Sequence, residues 1–131
     1  MDADREEVRT LLDDGWSLGT LELAIGTGFR CAYCETDFFV SVDACYSVQV
    51  EHIVPLTKEG RDEPSNKTVA CKTCNFFKRA WDPRTVTGPE ATREELLEAA
   101  RKYVMEIRKQ KEQMVSRERE AARKIMARMP A

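Results

Sequence analysis

Apolar and polar positions alternate with several different periods along this chain, and each period predicts an element. Val8, Leu11 and Leu12 recur at helical spacing over residues 4–14, with Asp4, Glu6 and Glu7 placed to complement the helix N-terminus. Asp14-Gly15 ends that helix. Leu18, Leu21, Leu23, Ala24 and Ile25 predict a second short helix, stopped by Gly26-Thr27-Gly28. Phe38–Val42 and Tyr46–Val50 are rich in β-branched and aromatic residues and read as two strands, with Asp43-Ala44-Cys45 turning between them. Residues 57–66 are polar, contain Gly60 and Pro64, and form an exposed loop. Lys67–Ala70 is a short returning strand, and Asn75–Trp81 a helix that Asp82-Pro83 stops.

Gly88-Pro89 then breaks the chain, and Thr92-Arg93-Glu94-Glu95 has the composition of a capping box. No Gly or Pro follows until Pro130, so one helix is expected from about 93 to 128, roughly 54 Å long. Leu96, Leu97, Ala100, Tyr103, Val104 and Ile107 give it an apolar face. Beyond Gln110 the stripe thins to Met114, Val115, Ala121, Ala122, Ile125 and Met129 between charges. That half cannot offset its ordering entropy by burial on its own domain. It is expected to project, and to pair with a second copy of the chain or a partner protein, or to cross DNA. The chain therefore divides into an N-terminal helical segment (1–28), a central module (29–89) and a long C-terminal helix (90–131).

At 131 residues, a third of them charged, the chain buries a modest core and would gain from a metal staple. No apolar run is long enough to span a membrane. The acidic N-terminus lacks the apolar stretch of a signal peptide, so a cytoplasmic location is expected. The net charge of −2 is unevenly spread: residues 1–30 and 31–51 each carry −4, whereas 52–89 and 90–131 each carry +3. A positive surplus that begins at His52 suits a surface that follows phosphates.

Cys31-Ala32-Tyr33-Cys34 is a Cys-x-x-Cys pair, ambiguous alone because a redox motif shares its spacing. The second pair, Cys71 and Cys74, completes a set of four thiolates with no open position, as a structural zinc ion requires. Disulfides or unligated core cysteines are the alternatives. Cys45 is left over as a packing residue.

His52 is the only histidine. With Glu51 before it, then Ile53-Val54-Pro55, Gly60, Asn66 and Cys71-x-x-Cys74-Asn75-x-x-Lys78, residues 29–82 resemble the HNH endonucleases in their four-cysteine, zinc-bearing form. The resemblance implies an α+β fold built on a small ββα-metal module. It implies that His52 is the general base, that Glu51 and Asn75 hold one divalent ion (Mg²⁺, Mn²⁺ or another), and that Asn66 orders the loop and orients the histidine. The family more often has Asp where this chain has Glu51, and the extra methylene bears on metal preference and rate.

Elementary chemistry agrees. A neutral imidazole takes a proton from water near neutral pH, and a hard ion on a carboxylate and an amide oxygen neutralises a phosphodiester. Neighbouring strand residues point to opposite faces, so a bulge or strand end at His52 must re-aim one of the pair. The substrate implied is double-stranded DNA, with Lys58, Lys72, Lys78 and Arg79 as candidate phosphate contacts. An RNase, or a catalytically silent zinc module that binds nucleic acid or protein, is the competing expectation.

Overall fold

The computed structural model describes residues 5–130. Its centre is a two-stranded antiparallel sheet, β1 (Val48–His52) against β2 (Lys67–Cys71), in continuous register from Val48 opposite Cys71 to His52 opposite Lys67. Two helices precede it, α1 (Glu6–Asp13) and α2 (Leu18–Gly26), and a one-turn helix α3 (Val42–Cys45) leads into β1. After β2 the chain passes directly into α4 (Lys72–Lys78), then a short α5 (Arg84–Thr87) and the long α6 (Arg93–Ala127). β1, β2 and α4 together are a ββα unit. No helix among the described residues is long and apolar enough to cross a membrane.

The core gathers Ala24 of α2, Tyr33 and Phe38, Val69 and Ala70 of β2, and Ala100 and Val104 of α6 around the four knuckle cysteines. β2 is the more buried strand: Thr68 to Cys71 are all buried, because α2 and α4 pack against it. The expected apolar face of α6 is the one that packs. Ala100 and Val104 are sealed, and the Tyr103 ring stacks on Trp81 with centroids 4.2 Å apart and planes 1° from parallel. The Thr92 capping box forms, Thr92 Oγ1 accepting from the Glu95 N–H and Glu95 accepting from the Thr92 N–H. Beyond Gln110 every described residue except Met114 is exposed, so the outer half of the helix projects from the body.

Three sequence expectations need correction. Phe38–Val42 is not a strand. Only the Arg30–Asp37 bridge forms there, and Phe39, Val40 and Val42 are exposed, which leaves their β-branched and aromatic side chains with no sheet to join. Ser41 instead caps α3, its Oγ accepting from the Ala44 N–H, so the expected 43–45 turn is helical. The helix expected over Asn75–Trp81 starts and ends earlier, because Cys71 is the N-cap and Arg79, at φ 50°, leaves the helical region. The Asp4 expectation lies outside the described residues.

Candidate metal centre and active site

The two knuckles converge. All four sulfurs of Cys31, Cys34, Cys71 and Cys74 lie within 4.8 Å of one another, with Cys34 and Cys71 Sγ 3.8 Å apart. A tetrahedral zinc with bonds of about 2.3 Å needs sulfurs roughly 3.8 Å apart, so the set fits that ion. The turns also aim N–H groups at the sulfurs: Tyr33, Cys34 and Cys71 donate to Cys31 Sγ, and Cys74 donates to Cys71 Sγ. Contact with Cys31 draws the Cys34 thiol far below the usual range and Cys71 down to about 6. Cys31 and Cys74 are pushed up, by Cys34 and Cys31 respectively. Four thiols whose sulfurs lie this close together are a site for a divalent cation. Cys45 stands apart from it.

One guanidinium completes this centre from outside the knuckles. Arg108, on α6, donates from Nε to Cys74 Sγ at 3.1 Å and from Nη2 to Cys71 Sγ at 3.4 Å. No spacing rule in the sequence points to it, since it lies 34 residues beyond Cys74 on a helix full of Arg and Lys.

Glu51 and His52 occupy the last two positions of β1 in unbroken register, so His52 stands at the strand end and no bulge separates the pair. Glu51 is buried. One carboxylate oxygen accepts from the Tyr33 hydroxyl and the other from Lys78 Nζ at 3.0 Å. Burial pushes the Glu51 carboxyl up, further than Lys78 and Tyr33 pull it down. Burial, then Glu51, also pushes the Tyr33 hydroxyl well above its ordinary range. Lys78 also donates to the His52 carbonyl at 3.1 Å, so its ammonium ties α4 to the end of β1. Lys78 is wholly buried, which removes it from the candidate phosphate contacts: an ammonium committed to Glu51 cannot reach a backbone in solvent.

His52 is half-buried at the strand end, and its Nε2 lies 3.0 Å from Asp62 Oδ1. Asp62 also pairs with Lys67 Nζ at 2.8 Å. His52 and then Lys67 hold the Asp62 carboxyl below its ordinary range. An ionised carboxylate only accepts, so Nε2 carries the proton and Nδ1 is the basic nitrogen. Sequence reasoning missed Asp62, one of several charges in a polar loop with no fixed spacing to His52.

Asn66 closes that loop. Its Oδ1 accepts from the Val54 N–H, and its Nδ2 donates to the carbonyls of Val54 and Arg61, all at 2.9 Å. Gly60 is required at the turn, since a Cβ there would sit 1.9 Å from the Val54 carbonyl oxygen.

Asn75 is in the second turn of α4 and does not cap it. Its Nδ2 donates to Gln49 Oε1 at 2.7 Å, which fixes the amide and leaves its carbonyl oxygen as the acceptor open to an ion. Glu51, His52, Asn75 and Arg79 line one open cavity of about 280 Å³. The donor set suits a hard ion. It has an amide oxygen, and a carboxylate whose oxygens each keep a lone pair after bonding Tyr33 and Lys78. Lys58 and Lys72 are exposed and lie outside that lining.

Residues 31–79 match the family model for HNH endonucleases. The matched segment runs from the first knuckle cysteine through His52, Asn66 and Asn75 to Arg79, and its β1–β2–α4 core is the ββα arrangement of that family's metal module. No curated protein matches the chain.

Proposed function

We propose that this protein is an HNH endonuclease that hydrolyses phosphodiester bonds of double-stranded DNA, with His52 as general base and one divalent ion, Mg²⁺ or Mn²⁺, held by Glu51 and Asn75. The observation that carries the reading is an imidazole held by Asp62 at an open cavity that Glu51 and Asn75 also line, inside the matched segment.

The residues divide the work by their chemistry. His52 Nδ1 accepts a proton from the attacking water, and Asp62 stabilises the imidazolium that results, as carboxylate partners of catalytic histidines do. Asn66 holds the loop that carries Asp62. Asn75 and Glu51 hold the ion, Gln49 orienting the amide and Lys78 and Tyr33 the carboxylate. Bound there, a divalent ion supplies positive charge for the phosphoryl oxygens and the leaving 3′ oxygen. The zinc thiolate centre keeps the knuckles, β2 and α4 in one unit and has no open position for chemistry. The exposed outer half of α6 is left for a second copy of the chain, a partner protein or the DNA itself.

One observation favours a second reading, a silent zinc module that binds without cutting: both Glu51 oxygens are already engaged by internal donors. Nicking of supercoiled plasmid with Mg²⁺, Mn²⁺ or no metal, for wild type and His52→Ala, separates the two. The nuclease reading expects metal-dependent nicking that falls by about 10²- to 10⁴-fold in His52→Ala. Equal rates for the two proteins would remove His52 as the base, and no nicking with any metal would leave the silent module. A structured RNA run in parallel shows whether DNA is the preferred polymer.

A further inference from the structure

At the rim of the His52 cavity an aromatic ring stands out from the helix with a guanidinium laid on it. Phe76, on α4 next to Asn75, is 58 % exposed. Arg79 lines the cavity, and its Cζ lies 4.5 Å from the Phe76 ring centroid. Arg79 holds this place with a backbone at φ 50° and ψ −132°, a region that a residue with a Cβ rarely adopts. A solvated arginine at a helix end has no need of that strain. Glycine would take the turn freely, so a strained arginine there points to a use for its side chain.

We propose that Phe76 and Arg79 form a stacking platform for a nucleobase turned out of the helical stack, so that duplex DNA is locally opened where its strand enters the His52 cavity. This rests on the nuclease reading for its placement, but the platform itself is a binding site. An exposed aromatic face accepts any base, and a flat guanidinium beside it adds a cation–π contact and a charge for the adjoining phosphate. Arg79 both lies against the Phe76 ring and lines the cavity with Asn75 and His52, so a base on the ring would adjoin that site. The positive surplus of residues 52–89 complements such a strand.

Equilibrium binding to oligonucleotides carrying 2-aminopurine, single-stranded, with a one-base bulge, or fully paired, tests this in the His52→Ala background, where nothing is cut. The single-stranded and bulged probes should bind more tightly than the duplex and lose fluorescence on binding as the base stacks. Phe76→Ala should abolish the quench and weaken those two probes by roughly 5- to 150-fold, Phe76→Trp should keep both, and duplex binding should change less. Arg79→Gly should weaken binding while leaving the thermal midpoint unchanged or higher, since it removes the backbone strain. The proposal is overturned if Phe76→Ala binds and quenches like its parent, or if Arg79→Gly lowers the midpoint and leaves binding intact. Because the readout is binding, a wild-type protein that fails to nick plasmid overturns the nuclease reading and leaves the platform to be judged by its own result.

Discussion

The Lys78 ammonium lies 3.0 Å from a Glu51 carboxylate oxygen, and both side chains are buried. This pair joins α4 to β1 beneath the cavity, so the residue proposed to hold the catalytic ion also holds the fold. Removing one partner of a buried pair leaves an uncompensated charge and costs about 3–5 kcal/mol. Lys78→Met should therefore lower the unfolding free energy by about that much, and adding Glu51→Gln should recover part of it. The pH dependence follows from the raised Glu51 pKa. Over the window from the ordinary glutamate range up to that raised value, the folded state holds a proton that the unfolded chain has released. Stability from this group is complete below the window and is lost as pH rises through it. Urea unfolding at a series of pH values with saturating zinc checks both points. Glu51→Gln should show a shallower decline than wild type, and the Lys78→Met defect should shrink on acidification. Parallel curves for the wild type and Glu51→Gln would mean that Glu51 ionises alike in both states.

Asn66 spans the loop between the strands, bonding both main-chain groups of Val54 and the Arg61 carbonyl. Because Asp62 follows Arg61, this network sets where the histidine's partner stands. Asn66→Asp keeps the shape but loses both N–H donors and sets a carboxylate against two carbonyls. At about 0.5–1.5 kcal/mol for each bond lost, a drop of about 1–3 kcal/mol is expected, with faster amide exchange at Val54. If His52 depends on that loop, nicking should fall further than the unfolded fraction explains. A variant as stable as wild type, with Val54 still protected, would show that the loop is held by other means.

The features that could be read directly from the sequence are those set by short, fixed spacings. Cys31, Cys34, Cys71 and Cys74 meet because two Cys-x-x-Cys turns have few ways to present sulfur, and β1, β2 and α4 follow from the residues between them. The Thr92 cap and the Leu97-Ala100-Val104 face also form as their local pattern dictates. What could not be read depends on distant partners. Phe38–Val42 has strand composition, but a strand needs a neighbour, and the knuckle turn pulls Phe38 into the core instead. Lys78 ends a short helix, where lysine is ordinarily solvated, and only the fold reveals the Glu51 carboxylate above it. Asn75 has the residue type of a helix cap, yet Cys71 sits at the N-cap and its sulfur accepts the Cys74 N–H. Asp62, Tyr33 and Arg108 carry no spacing signal, because each reaches its partner across the tertiary fold.

Arg108 ties α6 to the four-cysteine centre. Its guanidinium donates to two of the four sulfurs and lies 5.9 Å from the Phe77 ring, so it is held between α4 and the metal ligands. Burial opposes its charge, but the sulfur contacts, led by Cys74, outweigh that and raise its pKa above the ordinary arginine value. A four-thiolate zinc site carries a net charge of about −2, which N–H donors to sulfur offset. Outer partners of this kind commonly change metal affinity by about 10- to 100-fold. Arg108→Ala should therefore release zinc to a chromophoric chelator at a correspondingly lower chelator concentration, and amide exchange should rise in α6 around residue 108. Arg108→Lys should recover only part, since one ammonium cannot reproduce the two-nitrogen fork. Arg101, which pairs with Glu35 on the exposed side of the first knuckle, is the control. As an exposed pair it contributes at most about 1 kcal/mol, so Arg101→Ala should hold zinc nearly as wild type does. If Arg108→Ala matches that control, the sulfurs do not depend on α6, and the helix is docked by Ala100, Tyr103 and Val104 alone.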